Sequence, residues 1–384
     1  MDPHTERHTD ICIAGGGPAG TLLACLLARQ GADVVLIEKQ PVPGPSFRGE
    51  ILNGDGEHVL RKHELLNLVD REAVLPLIRL EYWENQRVVK TILPDREDGN
   101  VGIHIPQADL LQALLTEAEK YPNFTYKSGT TVRGLLQDGD GRYIGVKIRG
   151  ADGTDEEIRS RVVVGADGRY SAVRKHAGIL VNTEGHGYDL LWARIPAPDG
   201  WEPIMCSTIQ NGQQLHLFTQ ARGYVQVGWN IEEDSYKALR KRPFEELTDT
   251  LIAAFPKLES SVRQHITSWQ DFVLLDIFSS RSERWAQPGL VLIGDAAHTM
   301  TPTGAFGLNE ALCDADVLHE ELLNCLEKRQ DICLPIDRLE QRRRSDVERR
   351  QREQLDMELK YAQNFNSLQD DNIQTNDTIN RTSR

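Results

Sequence analysis

Three glycines, Gly15, Gly17 and Gly20, stand at G-x-G-x-x-G spacing in the segment GGGPAG, with Pro18 and Ala19 between the last two. A carboxylate, Glu38, follows about 20 residues later at the end of the apolar run ADVVLIE, with Lys39 directly behind it. Residues of these types at this spacing can hold a dinucleotide. The first glycine permits a tight turn, the second lets backbone approach a pyrophosphate, and the third lets a helix close on a strand. The start of that helix offers unpaired N–H groups and the positive end of its dipole to phosphate, while the acid takes the ribose hydroxyls. Two further acids end apolar runs, Asp167 in VVVGADG and Asp295 in GLVLIGD. A charge at the end of a buried strand needs partners. A lone arginine, Arg48, opens the stretch FRGEILNGDGEHVL, followed at once by Gly49.

These residues meet only if the chain folds in a particular order. TDICIAGGGPAGTLLACLLARQGADVVLIEK predicts a strand over 11–14, a helix over about 19–30 and a strand over 32–38, one β-α-β unit. RVVKTIL (87–93) reads as a strand and PQADLLQALLTEAEKY (106–121) as a helix; strands over 131–136 and 142–149 flank DGDG, and EEIRSRVVVGADG (156–168) ends a buried strand on a turn. From about 181 to 280 strand-like pieces alternate with turns around one helical segment, PFEELTDTLIAAF (243–255), and GLVLIGDAAH (289–298) then returns to the strand-then-glycine grammar. A helix is expected to start near Gly307, and the last sixty residues read as an arginine-rich helix and a polar, disordered tail.

With 384 residues, 39% hydrophobic and 27% charged, the chain has room for two domains or one composite soluble fold. The net charge of −14 argues against nucleic-acid binding. No apolar run approaches the roughly 18 residues of a membrane helix, and the start MDPHTERHTD carries no signal-peptide core. Cys12, Cys25, Cys206, Cys313, Cys325 and Cys333 form no CxxC pair and sit mostly in apolar segments, which predicts buried free thiols in a reducing cytoplasm. Neither an HExxH motif nor a Ser-His-Asp arrangement is present, and no metal is expected.

VVVGADGRYSAVR (162–174) and PGLVLIGDAAHTMTPTGAFGLNEALCDADVL (288–318), following GGGPAG in that order, resemble the signature motifs of the group A flavoprotein monooxygenases related to para-hydroxybenzoate hydroxylase. The resemblance spans residues 10 to 318 and implies FAD as the dinucleotide. It implies cofactor contacts for Gly15, Gly17, Pro18, Ala19, Gly20, Glu38, Lys39, Arg48 and Gln107, for Asp167 beside the pyrophosphate with Arg174 supporting its turn, and for Asp295 on the ribityl chain. Pro302, Thr303 and Gly304 would form the oxygen-side loop where the chemistry occurs, and Gly307, Leu308 and Asn309 would open a helix toward the flavin N1–C2=O edge, where reduced flavin carries negative charge. Phe306 stands where many relatives carry a polar residue, either narrowing a pocket or packing under the loop. His298 reads as a structural hydrogen-bonding residue. Among His186, Tyr188, Trp192, His216, Phe218, Tyr224 and Trp229, alternation places some on one sheet face, which in that family roofs the substrate.

The implied fold class is α/β: a Rossmann-like FAD-binding domain (1–80, 98–180, 281–330) interleaved with a sheet-rich substrate domain (81–97, 181–280), then a C-terminal helix (331–365) and a disordered tail (366–384). The implied reaction is hydroxylation or epoxidation of an electron-rich aromatic or polyketide-like molecule, with NADPH or NADH as co-substrate, O2 as oxidant and a flavin C4a-hydroperoxide as oxygen donor. The expected partners are therefore a small-molecule substrate and O2, with a homo-oligomer left open. Three other readings stand beside it. A flavin-dependent halogenase needs Trp-x-Trp-x-Ile-Pro, whereas LLWARIP (190–196) lacks the first Trp. A flavin-linked reductase of isoprenoid double bonds keeps the first motif with a different third. A flavin-bound scaffold or sensor would not need an intact oxygen-side loop.

Overall fold

The computed structural model describes residues 7–42, 44, 49–95, 99–328 and 333–361, and for 7, 325–328 and 333–336 the backbone alone. Arg48 and the tail expected at 366–384 lie outside the described residues. The chain divides into two compact units. The first comprises Met1–Arg71, Pro106–Glu184 and Phe278–Arg352, and the second Glu72–Ile105, Gly185–Ile277 and Glu353–Arg384.

The first unit is built on a sheet in the order Ala286–Gln287, Leu290–Leu292, Asp155–Gly165, Arg7–Ala14, Val34–Ile37, Phe124–Lys127. All neighbours from Leu290–Leu292 to Phe124–Lys127 pair in parallel. The hairpin Thr131–Gln137 and Tyr143–Arg149 joins Asp155–Gly165 in antiparallel fashion. Parallel strands lie covered on both faces, so they read as unbroken apolar runs; Ile11, Cys12 and Ile13 are fully buried. The helix Pro18–Arg29 starts after the N-cap Gly17 with proline in its first turn, and every residue from Ala19 to Ala28 is buried. Its small and apolar residues leave it no solvent face, since it packs between the sheet and the helices Gln107–Ala118 and Phe306–Lys328.

Register makes the site. Ala14 pairs with Ile37 and with Gly165, and Gly165 pairs with Leu292. Three glycine turns, distant in sequence, therefore leave the carboxyl edge of the sheet side by side. Backbone bonds knit them there: the Gly15 N–H donates to the Ile37 carbonyl at 2.7 Å, Ala166 to Ala14 at 2.7 Å and Ile293 to Gly165 at 3.0 Å.

The second unit is a seven-stranded sheet in the order Val273–Leu275, Tyr188–Pro196, Tyr224–Glu232, Gln213–Gln220, Ile204–Gln210, Arg79–Glu84, Arg87–Ile92. Alternation sorts its residues. One face, with Leu191, Ala193, Ile195, Leu215, Leu217, Val227 and Trp229, packs on the helices Phe244–Ala254 and Glu259–His265 through Leu251, Phe255 and Val262. Each fully buried Leu, Ile, Val or Phe among them contributes about 2 kcal/mol. The other face carries Leu190 and Trp192 with Tyr188 and Phe218.

The C-terminal helix runs over Cys333–Leu359. Its arginines are a packing face: Arg342 pairs with Glu320 and Glu321 at 2.9 Å, and Arg343 reaches Asp314 at 3.0 Å and also Glu310. Cys12, Cys25, Cys206 and Cys313 are free, and burial pushes the thiols of Cys12, Cys25 and Cys313 up to about 12. No described helix is long and apolar enough to cross a membrane.

Candidate active site

The glycine turn is forced by contact distances. Gly15 has φ +110°, and a Cβ there would lie 2.3 Å from the Ala166 carbonyl oxygen. At Gly20 a Cβ would lie 2.0 Å from the Gly15 carbonyl oxygen. Both positions admit only glycine. At Gly17, in extended conformation, a Cβ would meet nothing within 4 Å, so the helix start presents bare backbone there. Glu38 is bound to the turn itself: the Gly16 N–H donates to its Oε2 at 2.7 Å and the Gln40 N–H to its Oε1 at 2.7 Å. Each oxygen keeps a second lone pair. Lys39 is exposed.

The second motif turns inward. Asp167 Oδ1 accepts from the Ser171 hydroxyl at 2.5 Å, and its Oδ2 from the N–H groups of Ala172 and Val173 at 2.7 and 3.0 Å. The carboxylate thus caps the short helix Ala172–His176. Arg174, 8% exposed, donates to the Arg169 and Ala296 carbonyls at 2.8 Å each. That single side chain ties the second motif to the third. Asp295 sits just past Leu290–Leu292 with its carboxylate partly exposed and paired to Arg169 Nε at 3.5 Å. A Cβ on Gly294 (φ +57°) would lie 3.5 Å from that of Ala19 and 3.2 Å from that of Ala311, so the third motif lies against the start of the first helix.

Pro302, Thr303 and Gly304 form a tight turn closed by the Ala305 N–H on the Pro302 carbonyl at 3.1 Å. The left-handed backbone falls on Gly304 (φ +73°) and Ala305 (φ +54°), while Gly307 lies inside the helix Phe306–Lys328. The phenyl ring of Phe306 packs under this turn: it is 7% exposed, a Cβ on Gly304 would lie 2.8 Å from it, and the Arg350 guanidinium stands 4.9 Å from its centre. Gly307 and Leu308 contribute first-turn N–H groups, which have no partner within a helix. The side chain of Asn309 is fully engaged elsewhere, accepting from the Asn53 N–H at 3.0 Å and donating to the carbonyls of Ile51 and Ala305 at 3.0 and 2.6 Å. His298 is structural, with Nε2 2.7 Å from buried Asp314 and its ring 4.8 Å from that of Trp285. Gln107 is 8% exposed; its N–H donates to Glu50 at 3.0 Å, and its side-chain amide bonds to no described residue.

In the second unit, Tyr82, Trp192, Ser207, His216, Phe218 and Asn230 share one sheet face, and Trp229 stands on the opposite one. Gly228 makes room for Trp192, whose ring would lie 2.8 Å from a Cβ there. Sequence reasoning missed Ser207, 2.9 Å from His216 Nδ1, and Tyr361, whose ring meets His216 edge-on at 5.8 Å. It also missed Glu358, which bonds His186 at 2.8 Å and accepts from the Tyr188 hydroxyl at 3.0 Å. The only signal was the arginine-rich periodicity of the C-terminal helix, which says nothing of where its last turn lands.

Burial pushes the His216 imidazole down from 6.5 to about 4, so it is neutral at physiological pH. Between those values the unfolded chain binds a proton that the folded imidazole refuses, so stability falls as pH falls through that window and His216 adds no pH dependence above it. Urea midpoints measured from about pH 7 to pH 4.5 should therefore decline less steeply in His216→Gln than in the parent. Equal slopes would mean His216 titrates normally.

The family model described as "FAD binding domain" matches residues 8–351. Over 361 residues the chain is 37% identical to 6-methylpretetramide 4-monooxygenase of Streptomyces rimosus, covering 92% of this chain and 84% of that one. It is 24% identical over 323 residues to protoasukamycin 4-monooxygenase of Streptomyces nodosus subsp. asukaensis, covering 79% and 77%. The crystal structure of P. aeruginosa PqsL in complex with 2-aminobenzoylacetate superposes with a TM-score of 0.82 at 21% identity, covering 95% of this chain and all of that one.

Proposed function

This chain belongs to the FAD-binding-domain family and is an FAD-dependent monooxygenase, and from that premise we propose that it takes electrons from NADPH or NADH and hydroxylates an electron-rich, polyketide-like phenol. NAD(P)H, a proton, O2 and substrate give NAD(P)+, water and a substrate carrying one added oxygen atom. Bound FAD supplies hydride acceptance and oxygen activation; the protein supplies position, water exclusion and fixed charge.

The observation that carries this reading is the alignment of three strand ends, Ala14, Gly165 and Leu292, at one edge of the sheet. The residues there suit the cofactor. Gly17 offers uncovered backbone at a helix start for the pyrophosphate, with Pro18, Ala19 and Gly20 forming the first turn. Glu38 holds the turn with one lone pair per oxygen and has the others for a ribose. Asp295, paired among the described residues only at long range with Arg169, is the candidate for the ribityl chain, and the Gln107 amide bonds to no described residue. Asp167 acts by shaping its turn. Arg48 and Lys39 are proposed as cationic contacts, and the Pro302–Gly304 turn as the oxygen side, with the N–H groups of Gly307, Leu308 and Asn309 directed at an anionic flavin edge. The polyketide-like substrate rests on the 37% identical relative, whose name states its own activity.

Reconstitute the protein with FAD, follow NADPH and NADH oxidation against a panel of phenolic polycycles, and weigh the products. Substrate-stimulated oxidation with a product one oxygen heavier is expected; absence of bound FAD after reconstitution in excess would end the proposal. Glu38→Arg puts a donor in place of an acceptor and removes two charge-assisted bonds, a loss of about 2 kcal/mol or roughly thirty-fold in FAD affinity. Unchanged flavin occupancy in that variant would remove Glu38 from the site.

A further inference from the structure

One polar cluster has no part in the flavin reading. His63 follows the helix Gly54–Lys62 as its C-terminal cap, and Asp316 and His319 lie three residues apart on one face of the helix Phe306–Lys328. Their donor atoms all lie within 4.8 Å of one another, with His63 Nε2 2.6 Å from Asp316 Oδ1. His319 is 6% exposed, and neither ring nitrogen has a hydrogen-bond partner. An imidazole buried with both nitrogens unspent is costly and calls for an explanation.

We propose that His63, Asp316 and His319 form a binding site for one divalent transition-metal ion, with Zn2+ the best match to two imidazoles and a carboxylate. Such a site takes water as a fourth ligand. Metal–ligand bonds near 2.0–2.2 Å set neighbouring donors roughly 3.3–3.6 Å apart, so the three groups need shifts of only about an ångström. Burial, then the neighbouring His63, holds His319 down at about 4, leaving its lone pair available at neutral pH. Lys62 contacts both Asp316 oxygens at 2.8 and 2.9 Å and Glu320 at 2.8 Å. It can keep Glu320 while Asp316 turns to the metal. Arg342 also holds Glu320, at 2.9 Å, so Glu320 stays paired when Asp316 turns. The ion would pin one end of the helix Gly54–Lys62 to the long helix whose other contact, Asn309 with Asn53, already fixes the opposite end.

The test uses the full-length, FAD-loaded protein, stripped with a chelator, desalted and titrated with ZnCl2 by calorimetry, with MgCl2 as control. Expected are one Zn2+ per chain, a higher unfolding temperature with Zn2+, and affinity weakened more than about tenfold in both His63→Gln and His319→Gln. Retained flavin absorbance in the variants shows that they fold, and Asp316→Asn serves if one does not. No Zn2+ uptake by the parent at micromolar concentration, or parental affinity in the variants, overturns the site.

Discussion

Arg343→Ala is expected to destabilise the protein by about 3–5 kcal/mol, the largest loss from any single side chain of the C-terminal helix. Arg343 is 7% exposed, donates to Asp314 at 3.0 Å and also holds Glu310. Asp314 is fully buried. Burial alone would raise its carboxyl, yet His298 and Arg343 hold it below its ordinary value. With the guanidinium gone, two carboxylates share a dry site with His298 beside Asp314 and Arg350 Nε 3.4 Å from Glu310. Because the folded value is depressed, the charged form is the stabilised one at neutral pH, and its contribution is lost only as pH falls through that depressed value. The Gly294 N–H also donates to Asp314, at 2.9 Å, so the damage reaches the third glycine turn. Thermal unfolding followed by circular dichroism should drop by roughly 4–6 °C, with partial recovery in Arg343→Lys. A change under about 1 kcal/mol would show that the network carries little stability.

Gly304→Val is expected to cut product formed per NAD(P)H several-fold while FAD stays bound. Valine resists φ +73°, at a cost of about 1–2 kcal/mol. Its Cβ would also stand 2.8 Å from the Phe306 ring, which is held from beyond by Arg350. The strain therefore falls on the turn Pro302–Gly304 and the start of the long helix, not on the glycine turn that would hold the pyrophosphate. A displaced oxygen-side loop admits water, and reduced oxygen then leaves as hydrogen peroxide instead of entering product. Gly307→Val, within regular helix, should be milder. Peroxide and product measured together decide the matter; full coupling in Gly304→Val would take this loop away from the reaction.

What was legible in the sequence was local or periodic. The strand, turn and helix of residues 7–29 follow from apolar runs broken by glycine, and the motif order implied the family. What escaped depended on contacts between distant residues. That Asp167 makes three bonds to its own turn could not be read from its place in the motif. Asn309 reads as a helix start, yet its side chain grips residues 51 and 53. Left-handed backbone falls on Gly304 and on Ala305, an alanine that no propensity would place there. Glu358 and Tyr361 carry no motif at all.

The pairing of Ala14, Gly165 and Leu292 has a genetic consequence. What the site requires is that strands end level, and the amount of chain spent between them is immaterial to that requirement. Codons lost from a loop connecting the strands of the second unit leave those ends level. One codon lost within Arg7–Ala14 or Asp155–Gly165 draws a glycine turn back by about 3.3 Å and turns its residues to the opposite face. Lineages of this chain can therefore change length in the loops of the second unit, while the strands that end at the site tolerate no loss of a single codon.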